Sequence, residues 1–290
     1  MWNLARCAAG LAVCLAFPAS AHALPDCTVN TPEKRVLLSG QGTLESAIVD
    51  GRGRLYFTSS ANGGSLIKLN RAGATPRTLI SGVAGPGGLA FHRSGDLLLG
   101  FGNTILGGGT GTIDPQAGLL RLNRKTGDGR GYAEGLAMAN GVARMRDGTV
   151  FASNDIGIGI DRIAPDRTVT HSWATVVSPN GLAVSRNQRW LYANQTFVPA
   201  AIQRVRTTSG QAQEYFRPGP ADIAAGLDGM VRDHGDNLFV TANLYGELWR
   251  IGSDGTACVV ADGLGMASAV AIGRGTRNFR RSPAIASNRS

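Results

Sequence analysis

Four side chains that carry oxygen donors stand at the same place in a recurring pattern. They are Glu45 in ESAIVDGRGRLYFTSS (45–60), Asn140 in NGVARMRDGTVFASND (140–155), Asn180 in NGLAVSRNQRWLYANQ (180–195) and Asp228 in DGMVRDHGDNLFVTAN (228–243). If the fold brings them together, two carboxylates and two amide oxygens make a hard, all-oxygen donor set. That chemistry suits Ca²⁺, which takes six to eight oxygens in flexible geometry; Mg²⁺ or Mn²⁺ could also bind. Zn²⁺ is disfavoured, because no His or Cys falls near these positions. The competing reading is structural: Asn, Asp and Gly before a strand are turn formers, and a polar ring could simply hold water.

The elements that must position these residues repeat with them. GGLAFHRSGDLLLGFGN (87–103) and the shorter SAVAIGRGTRNF (268–279) belong to the same series, so the units open at Glu45, Gly87, Asn140, Asn180, Asp228 and Ser268. Each unit is a short apolar run, a polar turn and a second β-branched and aromatic run, which predicts a strand, a hairpin and a strand. Third strands follow in SLIKLNRAG, GLLRLNRKTG, IDRIAPDR, AIQRVRTTSG and ELWRIGSDG, and outer strands in TPRTLISG, RGYAEG, TVTHSWAT, AQEYFRPG and ACVVADG. Four strands at a period near 40 residues predict an all-β, six-bladed β-propeller with four-stranded antiparallel blades. The strand VLLSG (36–40) precedes the first unit and is expected to supply the outer strand of blade six, because the tail FRRSPAIASNRS lacks the alternation of the other units. In a propeller the first strands line the axial channel, so the six opening residues should ring one of its mouths.

SPNGLAVSRNQRWLYANQ and GLDGMVRDHGDNLFVTANLYGELWRIGSDG resemble the fourth and fifth blades of the regucalcin and gluconolactonase family of calcium-dependent propellers, and the resemblance spans most of residues 36–275. It implies metal ligands at Glu45, Asn180 and Asp228, and a substrate or metal contact at Asn140. The chain departs from the family in having Glu45-Ser46-Ala47 where Glu-Gly-Pro is common, and Asn140-Gly141 where Asn-Asp-Gly is frequent. The resemblance implies a hydrolase opening a sugar lactone or related cyclic ester. Asp228 is the expected catalytic residue, as metal ligand together with base or nucleophile. The histidines do not compete: His22 falls in the leader, His92 and His234 in hairpin turns, and His171 on an outer strand.

Second-strand ends open onto the same mouth, so Asn103, Asn154, Asp155, Asn194 and Asn243 are candidates for substrate hydroxyls or a supporting shell, with Tyr245 as a possible wall. LGGGTGTIDPQAG (106–118) should lie over the site as a lid or a tolerated long loop; without Gly-Lys-Ser/Thr it is not a phosphate loop. Two other functions stay open. One is a non-catalytic propeller that binds a small ligand or protein with a structural calcium. The other is a strictosidine-synthase-like enzyme, which would need an amine-directed base that the sequence does not supply.

Composition sets the frame. Of 290 residues, 43% are hydrophobic and 17% charged, with 41 glycines, which fits a globular β domain with a sizeable core. The net charge of +9 comes from scattered arginines, with Lys34, Lys68 and Lys125 the only lysines, and this argues against a nucleic-acid site. Residues 1–23 read as a signal peptide ending in Ala21-His22-Ala23, with residues 24–290 as the propeller. The expectation is therefore a periplasmic or secreted protein, a monomer with no membrane anchor after cleavage. Cys27 and Cys258 are then the two remaining cysteines, either disulfide-bonded or both free.

Overall fold

The computed structural model describes residues 24–27, 34–111, 113–273 and 283–288. The leader expected over residues 1–23 lies outside them. Among the described residues no helix is long and apolar enough to cross a membrane.

Five four-stranded antiparallel blades follow one another along the chain. Blade one is β1 (Leu44–Val49), β2 (Leu55–Ser59), β3 (Ser65–Leu69) and β4 (Arg77–Ser81). Blade two is β5 (Leu89–Phe91), β6 (Leu97–Phe101), β7 (Ala117–Leu122) and β8 (Gly129–Leu136), with a short helix, α1 (Ile105–Thr110), between β6 and β7. Blade three is β9 (Val142–Arg144), β10 (Val150–Ser153), β11 (Gly159–Ile163) and β12 (Val169–Thr175). Blade four is β13 (Pro179–Val184), β14 (Trp190–Gln195), β15 (Ala201–Arg206) and β16 (Ala212–Phe216). Blade five is β17 (Leu227–Arg232), β18 (Leu238–Ala242), β19 (Glu247–Ile251) and β20 (Ala257–Ala261). The sixth blade has two strands among the described residues, β21 (Met266–Ile272) paired antiparallel with β22 (Pro283–Asn288).

Burial explains the sequence pattern of each strand. Middle strands are covered by neighbouring blades on both faces, so β2, LYFTS, is buried at every position, and an apolar run replaces alternation. Outer strands are covered less completely, and β4, RTLIS, buries only Leu79. The core consists of sandwiches between adjacent blades. Ile202 and Tyr192 of blade four meet Val240 and Trp249 of blade five, and Tyr56 and Leu66 of blade one meet Leu97 and Leu99 of blade two. The ring closes where β1 lies beside β21, with Val49, Phe57 and Ile67 packed against Ala271.

The N-terminal segment departs from expectation. Residues 36–40 form no strand, and the partner of β21 is the C-terminal β22. Leu37 and Leu38 instead pack onto the cluster at the seam between blades one and six. The strand-like pairing of the N-terminus occurs one blade earlier. Asp26 bridges Val259 in parallel, Cys27 N donates to Val259 O at 2.8 Å, and Val259 N donates to Pro25 O at 2.9 Å. A disulfide joins Cys27 to Cys258 in β20, and Lys34 Nζ pairs with Asp262 at 2.7 Å. The apolar content of VLLSG is thus spent on packing; the free edge that attracts backbone pairing is that of β20.

Glycines set how closely the inner strands approach. A methyl group at Gly141 would overlap the carbonyl oxygen of Asn180, at Gly181 that of Asp228, and at Gly229 that of Ser268. Gly141→Ala should therefore lower the unfolding free energy by about 2–3 kcal/mol through overpacking. Gly51→Ala, where a methyl meets nothing within 4 Å, should change it by less than about 0.5 kcal/mol. Denaturant titration of the two variants compares them directly; equal stability would show that the inner strands are not held at contact.

Candidate functional site at the channel mouth

A β-bulge places each mouth residue. Register shifts fall between Leu44 and Ala47 in β1, Pro179 and Leu182 in β13, Leu227 and Met230 in β17, and Ala267 and Ala269 in β21. Glu45, Asn180, Asp228 and Ser268 lie inside these shifts. Ahead of β9 the same arrangement holds Asn140: its N–H donates to Ser153 O at 3.2 Å, while Ser153 N donates to Gly141 O at 3.0 Å, so two residues oppose one. The bulge turns the first residue of each pair toward the axis and the small second residue toward the next blade.

The preceding blade secures the carbonyl of the mouth residue. Ser153 Oγ donates to Asn180 O at 2.6 Å, Asn194 Nδ2 donates to Asp228 O, and Thr58 Oγ1 donates to Gly87 O at 3.3 Å. These side chains lock successive blades at the site.

The mouth opens into a cavity of about 320 Å³ whose floor is Glu45, Asn103, Asn140, Asp155, Asn180, Asp228 and Asn243. Asn140 Nδ2 donates to Glu45 Oε1 at 3.0 Å and to Asn103 Oδ1 at 3.2 Å. Asn243 Nδ2 donates to Asp228 Oδ2 at 3.1 Å and to Ala267 O at 3.2 Å, and the Asn180 amide also bonds the Asp228 carboxylate. Of the predicted site residues, Glu45, Asn103, Asn140, Asp155, Asn180, Asp228 and Asn243 therefore meet in one cavity.

Three predicted residues lie outside it. Asn154 donates from Nδ2 to Gly108 O at 2.9 Å and accepts from Ile156 N at 3.2 Å, so it anchors α1 to blade three. Asn194 lies beneath Asp228, with its own Oδ1 buried and without a partner among the described residues. Tyr245 donates to Ala221 O at 2.9 Å and leans on Trp249, away from the cavity wall. The loop after β6 contributes α1, capped by Thr104 Oγ1, which accepts from Gly107 N at 3.0 Å. The pattern of opening residues did not reveal the apolar wall of Ile105, Met138, Ile156, Phe197 and Leu244.

The electrostatics of the floor are one-sided. Burial, and after it the charge of Asp155, raises Glu45 to about 7. Burial raises Asp155 to about 6, and its Oδ1 has no hydrogen-bond partner among the described residues. Asp228 is pushed well above the ordinary carboxylate range by burial first, then by Glu45 and Asp155. Among the described residues no Lys, Arg or His lines the cavity, so the chain supplies no compensating cation there.

The donor chemistry fits a hard divalent cation. No three Asp, Glu, His or Cys side chains of the described residues cluster so as to hold an ion by themselves. A cation here would be shared by Glu45 and Asp228, with amide oxygens and water completing its shell. The Oδ1 atoms of Asn140 and Asn180 accept no hydrogen bond from the described residues, and both residues line the cavity.

No family model matches the sequence, and a search of curated proteins gives no match. Solved structures share the fold. A gluconolactonase from Xanthomonas campestris is 18% identical, with a TM-score of 0.65 over 90% of this chain and 94% of that one. Regucalcin from Agrobacterium tumefaciens is 19% identical, with a TM-score of 0.62 over 82% and 81%. Virginiamycin B lyase from Staphylococcus aureus is 16% identical, with a TM-score of 0.60 over 82% and 77%. At these identities the likeness extends to the all-β, six-bladed propeller and no further.

The raised carboxylates carry a pH signature. A group whose folded pKa exceeds its unfolded value contributes stability that is fully present below the unfolded pKa and is lost as the pH rises through the folded one. With a chelator present, the melting temperature should fall by several degrees between about pH 5 and about pH 8. Ca²⁺ should restore it more at the higher pH, and Glu45→Gln should flatten the slope. A slope unchanged in Glu45→Gln, together with no effect of Ca²⁺, would remove the charge conflict on which this expectation rests.

Proposed function

We propose that the protein is a divalent-cation-dependent hydrolase that opens a lactone or related cyclic ester, and that Ca²⁺, with Mg²⁺ and Mn²⁺ as alternatives, is held by Glu45, Asn180, Asp228 and Asn140. The observation that carries this reading is the uncompensated pair of half-buried carboxylates, Glu45 and Asp228, facing one cavity with two unspent amide oxygens. A bound cation supplies Lewis acidity toward an ester carbonyl oxygen.

The chain's own groups do the rest. Asp228, held by the amides of Asn243 and Asn180, is fixed in one orientation and serves as ligand and water-orienting group. Asp155, which burial raises to about 6, lines the same cavity and takes the proton from the attacking water. The water oxygen bonds to the carbonyl carbon, the ring C–O bond breaks, and the departing ring oxygen receives the proton that Asp155 took from the water, which leaves a hydroxy acid.

The lyase alternative is less well supported. A histidine-to-alanine form of virginiamycin B lyase is catalytically inactive, and no histidine lines this cavity among the described residues. The same absence of an amine-directed base weighs against strictosidine-synthase-like condensation. From the signal peptide expected over residues 1–23, we propose that the protein acts outside the cytoplasm, as a monomer, on a small molecule.

Glu45→Gln and Asp228→Ala should weaken Ca²⁺ binding at least ~10-fold and remove lactone turnover, while the cation-free variants still unfold in a cooperative transition. Asp155→Asn should keep Ca²⁺ affinity within about threefold and lower kcat by roughly 100-fold or more. Calorimetric Ca²⁺ titration alongside hydrolysis assays separates the two classes. Tight Ca²⁺ binding with no turnover of any lactone would turn the reading to a ligand-binding propeller with a structural ion.

A further inference from the structure

The amide donors of the cavity are committed to its own oxygens. The Asn140 amide N–H₂ serves Glu45 and Asn103, that of Asn243 serves Asp228 and Ala267 O, and the Asn180 amide serves Asp228. Thr196 Oγ1 donates to Leu227 O at 3.0 Å, and Thr104 Oγ1 accepts from Gly107 N. A polyhydroxylated ring entering this cavity would find few free N–H donors for its oxygens in place of the water it leaves, which is costly.

Above the floor the surroundings are apolar and exposed. Ile105 is 79% exposed, Phe197 53% and Leu244 62%, and all three line the cavity; Leu106 at 78% and Val198 at 64% adjoin them in sequence. Singly exposed apolar residues are ordinary, whereas several around one cavity mark a binding surface.

The three lining residues come from blades two, four and five, and backbone bonds hold each of them. Ile105 opens the capped helix α1, Phe197 N donates to Ser178 Oγ at 3.3 Å, and Leu244 N donates to Ala225 O at 3.1 Å. Leu244 also sits over Gly226, whose φ of +62° leaves no room for a side chain. The collar is therefore built in place around the opening.

We propose that the substrate is an apolar lactone, a ring ester bearing an alkyl or acyl chain, with its carbonyl at the Glu45–Asp228 floor and its chain against Ile105, Phe197 and Leu244. This deepens the hydrolase reading and rests on it for the reaction. The apolar recognition is a statement about binding alone.

The experiment measures kcat/KM and calorimetric affinity of the mature protein with Ca²⁺ for γ-butyrolactone, γ-hexalactone, γ-octalactone and γ-decalactone, with glucono-δ-lactone as the polar comparison. Each methylene that reaches the collar should raise kcat/KM roughly 4-fold, and glucono-δ-lactone should fall below the longer alkyl lactones. In the Phe197→Ser/Leu244→Ser double variant the ratio of γ-decalactone to γ-butyrolactone should drop at least ~10-fold, with melting curves verifying the fold. Single variants serve if the double variant does not fold, and each should lower that ratio. Turnover of glucono-δ-lactone equal to or above that of γ-decalactone, or a ratio that the variants leave unchanged, would overturn the proposal while sparing the hydrolase reading. Binding that strengthens with chain length without turnover would sustain the apolar site and sink the hydrolase. Neither binding nor turnover of any alkyl lactone would overturn both.

Discussion

The structure depends on how closely the innermost strands of successive blades can approach one another. At Gly141, Gly181 and Gly229 the backbone lies against the carbonyl of the next blade's opening residue, with no room for a methyl group. The pattern of an oxygen-bearing residue followed by glycine, which by itself looks like a turn signal, is thus an inter-blade contact. The bulge that brings the glycine to the neighbouring blade is also what turns Asn140, Asn180 and Asp228 inward. Closure of the ring and convergence of the donors are one geometric event.

That convergence sets charge against charge. Glu45, Asp155 and Asp228 are half-buried around one cavity, and the neighbouring amides lower their pKa values only in part. The conflict is tolerated because packing, hydrogen bonding and the outer strands stabilise the ring elsewhere, as strained functional sites require. Using asparagine amides to orient carboxylates also spends the donors that a sugar would need. The polarity of the floor and the apolarity of the collar are therefore linked properties of one cavity.

Much of this was legible in the sequence because it repeats locally. Alternating runs, hairpin turns and the recurring opening residue gave the blades, the direction of the strands and seven of the residues that meet at the mouth. Asn154, Asn194 and Tyr245 occupy the expected strand ends, yet their side chains bond Gly108, the Asp228 backbone and Ala221, because a strand end specifies a place and not a direction. The partner of β21 was not legible either: VLLSG and PAIASN are both short apolar stretches, and only the free edge left by β20 and the seam beside β1 decide between them. The collar of Ile105, Phe197 and Leu244 sits on three unrelated connections, outside any repeat, so no periodicity announced it.

The bond between Cys27 and Cys258 joins residues 231 positions apart, and it docks the N-terminal segment on blade five while the ring itself closes between blades six and one. Its formation therefore has an order. Cys258 lies in the last strand of blade five, so a fragment of residues 24–256 holds no second cysteine for Cys27 to pair with. The linkage is a record of completion: it can be written only after five blades have been made, and once written it ties residue 27 to the end of blade five independently of the seam between blades six and one.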